Sequence, residues 1–398
     1  MKRLLVLSAA LAACSAGAFE KIALVDHFDY AHFFDVETRE GVAKVLDHVM
    51  ETGPDRVLWR AMSGAVPRYL SEEESLPSTV PPRDLRRLPL TSDGGWIHYE
   101  TMTNDLFGIF RGLCVERNLA WGAHWTVEEA HWLDWSVGSW NLEHPQYWCR
   151  DVKGQPWPGK ASLAFSEVRE HKLRLADEML ARGAKTIFYD TCRYSGWTPG
   201  REYVKPNLEA WRRRYGNEPP PEDWKDPRWT AICVESHHAF LKELRERCAR
   251  KGATFMLGLE EAGRTDKGGE LMLVERAIDW KRLVREGGVD EIGVICVSMD
   301  PADPWGSTRR IFDDIVANKG RAKVYFPVRM YDFWKTSVGI PSYEKASGLT
   351  KLECAKKLLE LADEAGGDGV ILGCVDYGNY SPEIREAIRT FRSKRDCR

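Results

Sequence analysis

The stretch SEVREHKLRLADEMLARGAKTIFYDTC, residues 166–192, joins two structural patterns in one short segment. Its first part has apolar residues at helical spacing and stops at Gly183. Its second part is a short apolar run rich in aromatic and β-branched residues, which is typical of a buried strand. A helix that ends in glycine and continues into a strand is characteristic of parallel α/β folds. The stretch therefore predicts an alternating α/β architecture.

The same alternation recurs along the chain. Short apolar runs lie at residues 22–28, 56–62, 119–125, 186–192, 254–260, 291–300, 323–330 and 369–377. Helical patterns lie between them, at 36–53, 166–184, 230–253, 271–288, 307–320, 350–367 and 381–394. Eight units of this kind favour an α/β fold of the (β/α)8 TIM barrel type over residues ~20–395. An open doubly wound sheet is the alternative, but the first strand–helix turn, DHFDYAHFFD, has no GxGxxG motif.

Two predicted loops are unusually long. They follow strand 3 (residues 126–165, rich in Trp) and strand 4 (residues 193–228, with EPPPEDWKDPRW). Loops of this length in a compact fold are usually functional. The chain holds 16 Trp among its 398 residues, and indole rings in loops suit stacking on sugars, although any single Trp more often fills a core.

The overall charge excludes some partners. A formal net charge of −3 indicates no broad electrostatic attraction to nucleic acid or to a membrane surface. The hydrophobic content of 43% indicates a globular chain rather than a disordered one. Ten cysteines without a CxxC pair or zinc spacing are expected to be mostly buried thiols.

The N-terminus, MKRLLVLSAALAACSAGAFE, has a basic start and a short apolar segment, which predicts an export signal over residues 1–18. Cleavage after Ala16-Gly17-Ala18 competes with a lipobox that would place a lipid on Cys14. We therefore expect an exported protein (periplasmic, outer-membrane lipoprotein or extracellular) with residues 19–398 as a single catalytic domain. Cys14 would be its one route to a membrane.

Ionisable residues concentrate at the carboxyl ends of the predicted strands, where barrel active sites form. They are Asp26, His27, Asp29, Arg60, His124, Glu128, Glu129, Asp190, Arg193, Glu260, Glu261, Asp300, Arg329, Asp332 and Asp376. We expect far fewer such groups at the amino ends of the same strands, and we interpret this asymmetry as the mark of an enzyme.

Two carboxylates stand out within this set. Alternation along TFMLGLEE turns Met256, Gly258 and Glu260 towards the barrel interior, and Asp190 ends the preceding strand. Carboxyl groups about 5 Å apart suit retaining glycoside hydrolysis, and a gap of about 6.5–9.5 Å suits inversion. The alternative is structural: Asp190 as a strand-end anchor paired with Arg193, and Glu260 as a helix cap.

Other chemistries fit less well. There is no HxH at the end of strand 1, no GxSxG after a strand, no CxPxR and no phosphate-binding glycine loop after strands 7 and 8. We expect neither an organic cofactor nor a metal.

Residues His144-Pro145, Trp157-Pro158 and the Asp190/Arg193 pair carry a resemblance to the bacterial (β/α)8 glycosyl-hydrolase-like proteins often labelled family-10-like. The similarity runs from VDHFDYAHFFD to VDYGNYSPE. Related barrels that cut fucose-containing sulfated polysaccharides are similar in plan. The resemblance implies Asp190 as the nucleophile and Glu260 as the acid/base.

The sequence hypothesis is thus an exported retaining glycoside hydrolase acting on a carbohydrate that is α-linked and sulfated or acidic. Expected substrate-binding residues are His27, Arg60, His124, Trp125, Arg193, Trp197, Asp300, Arg329 and Asp376. Further stacking platforms would be Trp132, Trp135 and Trp140. Two alternatives stay open: a non-catalytic carbohydrate-binding barrel, and a polysaccharide lyase with His124 or Tyr194 as base.

Overall fold

A computed structural model describes most of the chain. The described residues are 18–26, 34–36, 38–63, 66–74, 104–126, 138–191, 199–261, 271–297, 299–329, 342–373 and 380–394. Within them, no helix is long and apolar enough to span a bilayer.

The predicted runs form a closed barrel of eight parallel strands. Its strands are β1 (Glu20–Val25), β2 (Arg56–Ser63), β4 (Ala120–Thr126), β7 (Thr186–Asp190), β8 (Thr254–Glu261), β9 (Glu291–Val297), β10 (Lys323–Pro327) and β11 (Gly369–Gly373). Strand β1 pairs in parallel with both β2 and β11, which closes the sheet. The TIM barrel prediction is confirmed, and the open doubly wound alternative is wrong.

Among the described residues, three short strands lie outside this ring. Strand β3 (Val66–Pro67) runs antiparallel to the end of β2. Strands β5 (Trp148–Arg150) and β6 (Pro156–Ala161) form a hairpin within the long loop after β4.

Helices cover the outside of the barrel. They are α1 (Arg39–Met50), α2 (Leu106–Glu116), α3 (Ser139–Glu143), α4 (Ser166–Ala181), α5 (Lys205–Tyr215), α6 (Pro227–Arg250), α7 (Leu271–Val274), α8 (Trp280–Arg285), α9 (Pro304–Asn318), α10 (Tyr343–Ser347), α11 (Lys351–Glu364) and α12 (Pro382–Thr390). Gly183 and Gly287 follow α4 and α8 with φ of 95° and 72°, which side chains other than glycine adopt with strain.

One predicted helix is in fact two. The pattern over 271–288 is divided between α7 and α8, and Ala277 between them has a φ of 48°. Helices α2 and α5 were not foreseen. Buried thiols are confirmed at Cys114, Cys233 and Cys354.

Apolar side chains form two layers. The inner layer fills the barrel with Ile22, Leu24, Leu58, Phe188, Met256, Ile295, Tyr325 and Ile371. The outer layer lies between strands and helices. Glycines give the inner layer room, since a Cβ on Gly293 would lie 2.8 Å from the Phe188 ring.

The amino ends of the strands correct one sequence interpretation. Arg56 lies between Glu291, whose Oε2 accepts a 2.9 Å bond from Nη1, and Glu20, whose Oε1 lies 3.1 Å from Nε. The Tyr325 hydroxyl donates to Glu20 at 2.6 Å. The supposed asymmetry between the two ends is therefore wrong: the amino end carries ionisable groups that neutralise one another.

Candidate active site

The carboxylates predicted to act together lie on adjacent strands. Strand β7 pairs in parallel with β8, with Tyr189 opposite Leu257, so Asp190 and Glu260 both belong to the carboxyl ends of neighbouring strands. Met256 lies in the inner layer and Leu259 in the outer layer, which is the alternation the sequence predicts. Both carboxylates are thus carried by the rigid sheet rather than by a loop.

Asp190 is held from two sides. Its Oδ2 lies 2.8 Å from Nε2 of His124, and the exposed fractions of the two residues are 2% and 0%. The Thr191 hydroxyl donates to the carbonyl of Gly258 at 2.8 Å, which ties the end of β7 to β8. Gly258 permits the close approach, because a Cβ there would lie 3.0 Å from the Asp190 Cα.

Glu260 is buried and balanced between opposing charges. Burial raises its pKa above the ordinary glutamate value, and the nearby Asp190 charge acts in the same direction. The guanidinium of Arg276 donates to Oε2 at 3.1 Å and opposes this rise, as does Arg329. Glu260 is therefore a carboxyl that holds its proton to higher pH than a solvated one.

Irregular pairing occurs where the site residues leave the sheet. The register between β2 and β4 shifts at Arg60–Met62, and that between β8 and β9 shifts at Leu259–Glu260. Bulges re-aim side chains and are common beside active sites.

Arg60 lies near the carboxyl end of β2, opposite His124 of β4. Its Nη1 donates to Oδ2 of Asp26 at 2.6 Å and its Nη2 to the hydroxyl of Thr126 at 3.0 Å. Arg68, fully buried nearby, has its pKa lowered well below the ordinary value by burial and by the Arg60 charge. Arg60 is 3% exposed and its guanidinium orders Asp26 and Thr126, while its role in binding substrate stays a prediction.

Two predicted stacking platforms contact other aromatic rings of the protein, Trp125 as a buried residue and Trp140 as a half-buried one. Trp125 is 1% exposed and meets Tyr189 and Phe240 edge-on, on the helix side of the sheet. The ring of Trp140 stacks on His144 and His171 at centroid distances of 4.2 and 4.3 Å. The prediction fails for Trp125, because the alternation of β4 sends Trp125 outwards and His124 inwards. Trp140 is half-buried, and its role as a stacking platform stays a prediction.

Asp300 is also reassigned. Strand β9 ends at Val297, and Asp300 lies exposed in a turn before α9, where its Oδ1 accepts the backbone N–H of Ala302 at 2.9 Å. Its carboxylate shapes that turn instead of extending the strand.

Arg329 lies two positions beyond β10, half-buried, with Nη1 donating to the carbonyl of Ile295 at 3.4 Å. Its charge lowers the pKa of Glu260, and its role in binding substrate stays a prediction. Other predicted residues lie outside the described residues: His27, Trp132, Trp135, Arg193, Tyr194, Trp197 and Asp376.

The sequence interpretation missed Arg276 and Arg68. Arg276 falls inside a pattern that predicts one continuous helix, and the break at Ala277 has no glycine or proline to announce it. Arg68 follows the short strand β3, which has no strand pattern of its own. Among the described residues, no group of three or more His, Cys, Asp or Glu is placed to hold a metal ion.

No family model and no curated protein matches the chain. Solved structures resemble it at low sequence identity. The glycoside hydrolase domain of PgaB (BpsB) from Bordetella bronchiseptica has a TM-score of 0.57 and 13% identity, over 94% of this chain and 99% of that one. The catalytic domain of β-amylase from Paenibacillus polymyxa has a TM-score of 0.53 and 11% identity, over 92% and 95%.

A β-galactosidase from the psychrophilic Marinomonas ef1 has a TM-score of 0.53 and 10% identity, over 93% of this chain but 58% of the galactosidase chain. At these identities the likeness shows the fold alone. The chain has the barrel fold found in glycoside hydrolases.

Proposed function

We propose that the protein is a glycoside hydrolase with Asp190 and Glu260 as its catalytic carboxylates. One observation carries the proposal: the two groups leave neighbouring strands on the inner face of the barrel mouth, and the charge of Asp190 helps to raise the pKa of Glu260. Glycoside hydrolysis needs two carboxyl groups with different pKa values, since one must be a proton donor while the other is ionised.

The proposed mechanism is double displacement with retention. An oxygen of the ionised Asp190 attacks the anomeric carbon, and Glu260 gives its proton to the leaving glycosidic oxygen. Glu260, then ionised, takes a proton from water, whose oxygen displaces Asp190 and regenerates both groups. Retention is the outcome that the sequence resemblance implies. The electrostatic coupling links the two carboxyls in one site but does not give the separation that distinguishes retention from inversion.

His124 and Arg276 have supporting roles in this scheme. An ionised carboxylate only accepts hydrogen bonds, so Nε2 of His124 carries the proton towards Oδ2 of Asp190. This bond orients the nucleophile. Arg276 stabilises the ionised Glu260 that forms after proton transfer, since its guanidinium already touches Oε2.

We infer an acidic or sulfated, α-linked polysaccharide as the substrate class. Arg276 and Arg329 bring two guanidinium groups to the site, and planar guanidinium groups suit carboxylates and sulfates. The α linkage and the comparison with fucan-cutting barrels depend on the sequence resemblance. Export likewise depends on the N-terminal sequence, and we propose that the protein acts outside the cytoplasm.

A non-catalytic carbohydrate-binding barrel is the second candidate. The observation in its favour is that each carboxylate is already engaged by a basic side chain. His124 contacts Asp190, and Arg276 contacts Glu260. A polysaccharide lyase is the other alternative, and of its two predicted bases His124 is buried beside Asp190 while Tyr194 lies outside the described residues.

Incubation of the purified chain with a panel of algal and plant polysaccharides tests the proposal. Release of reducing ends without new ultraviolet absorbance supports a hydrolase and names the substrate. New absorbance from an unsaturated sugar would indicate a lyase, and binding without any product would favour the non-catalytic barrel.

A further inference from the structure

Arg276 is an unusual element of the site because no barrel strand carries it. It lies between α7 and α8, next to Ala277 with its φ of 48°. Its side chain is 11% exposed, and its Nη2 lies 3.1 Å from Oε2 of Glu260. An irregular segment needs an external support to hold a guanidinium at this position.

That support comes from helix α6. Nδ1 of His237 lies 3.1 Å from the carbonyl oxygen of Arg276, and His237 is 1% exposed. A carbonyl only accepts, so Nδ1 carries the proton of this bond. Ala277, the next residue, is fully buried in the apolar cluster that includes Trp229 and Cys233 of α6.

The same histidine also borders the other catalytic strand. Its ring meets Tyr189 edge-on, with centroids 6.4 Å apart and planes at 86°. Tyr189 directly precedes Asp190 on β7. His237 is thus packed between the strand that carries Asp190 and the segment that carries the partner of Glu260.

We propose that His237 is a positioning residue: its hydrogen bond to the carbonyl of Arg276 holds that guanidinium against Glu260. The inference rests on the proposed function for its catalytic meaning. The two hydrogen bonds themselves, from His237 to the Arg276 carbonyl and from Arg276 to Glu260, are given by the distances alone.

The charges around Glu260 determine in which direction its pKa would move if Arg276 were displaced. Asp190 raises the pKa of Glu260, while Arg276 and Arg329 lower it. Burial lowers the pKa of His237 to about 3, with the His238 and Lys172 charges acting in the same direction and the Arg276 carbonyl opposing them. His237 is therefore neutral at the pH of most assays. A displaced Arg276 would leave Glu260 protonated to higher pH.

The test is a direct titration of Glu260 in the full-length chain. Glutamate labelled with 13C at the side-chain carboxyl gives NMR signals, and the signal absent from Glu260→Gln belongs to Glu260. His237→Phe keeps the ring contact with Tyr189 and removes the donor. We expect the Glu260 midpoint to move to higher pH by about half a unit to one unit. His237→Asn, whose amide can still donate to the carbonyl, should restore most of the wild-type midpoint.

Two further variants separate positioning from general loosening of the fold. His238→Phe is the matched control: His238 is the adjacent residue of α6, is 1% exposed, and has neither ring nitrogen bonded within the described residues. It should leave the midpoint unchanged. In an Arg276→Met background, His237→Phe should cause no further movement, because its effect passes through Arg276.

An unchanged midpoint in His237→Phe, or an equal movement in His238→Phe, would overturn the inference. The titration needs no substrate, so a chain that hydrolyses nothing would refute the proposed function and still decide the role of His237.

Discussion

Nε2 of His124 lies 2.8 Å from Oδ2 of Asp190, and neither side chain has more than 3% of its surface exposed. The two residues lie on neighbouring strands: Asp190 ends β7, and His124 lies two positions before Thr126, the residue of β4 opposite Asp190. This hydrogen bond fixes the orientation of the Asp190 carboxylate relative to a bound substrate. The pair therefore acts as one unit, with His124 orienting Asp190.

Replacement of His124 tests this relationship. His124→Leu removes the donor, and we expect kcat to fall roughly 10- to 100-fold because the nucleophile loses its orientation. KM should change little, since His124 is proposed to act through its bond to Asp190 and not on the substrate itself. His124→Gln, whose amide nitrogen lies near the position of Nε2, should recover part of the loss. A larger effect on KM than on kcat would show that His124 contacts the substrate instead.

The pH profile tests the state of Glu260. A general acid works while protonated, and burial raises the pKa of Glu260, so kcat/KM should fall as pH rises through that raised value. Arg276 opposes the rise, and Arg276→Met should therefore move the alkaline limb to higher pH. The measurement is kcat/KM against pH for both proteins. Movement of that limb to lower pH in Arg276→Met would contradict the assignment of Glu260 as the acid.

Gly258 is predicted to be intolerant of even one methyl group. A Cβ there would lie 2.8 Å from both the Tyr189 carbonyl oxygen and the Ile295 side chain. We expect Gly258→Ala to lower the free energy of unfolding by about 1–3 kcal/mol, measured by urea denaturation, and to lower activity through displacement of Asp190. Gly373→Ala is the control, because no atom of the described residues lies within 4 Å of a Cβ at the end of β11. Equal stability of the two variants would argue against the close approach.

The amino end of the barrel should contribute to stability alone. Arg56→Met leaves Glu20 and Glu291 without their shared cation, and we expect the free energy of unfolding to fall by about 3–5 kcal/mol. The double variant Arg56→Met/Glu291→Gln should regain part of it, since one of the two charges is then removed. Activity per folded molecule should stay near the wild-type value at a permissive temperature. A selective loss of activity would mean that the amino end takes part in function.

The alternation of strands and helices could be predicted because each unit is encoded by the spacing of apolar residues within one short segment. The helix that ends at Gly183 before β7 is an example. The inward direction of Glu260 could be predicted for the same reason, since strand alternation is a property of neighbouring residues. Partners distant in sequence were harder. The bond from His124 to Asp190 depends on strand order, and the sequence left His124 equally open to a backbone bond.

Arg276 shows the limit most clearly. Its segment has helical spacing on both sides, and the helix is interrupted at Ala277, which packs against α6, before Asp279 caps the start of α8. Trp125 shows the converse error. An aromatic residue at the end of a strand suggested a sugar platform, but the alternation of side chains along β4 places its ring against Phe240 in the outer core.

The most direct test of the account compares Asp190→Asn and Glu260→Gln with the wild-type chain on the polysaccharide that it cleaves. Asp300→Asn is the control, a carboxylate at the same end of the barrel in an exposed turn. We predict that each of the first two variants loses about 10²–10⁴-fold in kcat while still folding and binding the polysaccharide, and that Asp300→Asn keeps wild-type activity. Wild-type activity in Asp190→Asn or Glu260→Gln would contradict the central claim that these two carboxylates carry out the reaction.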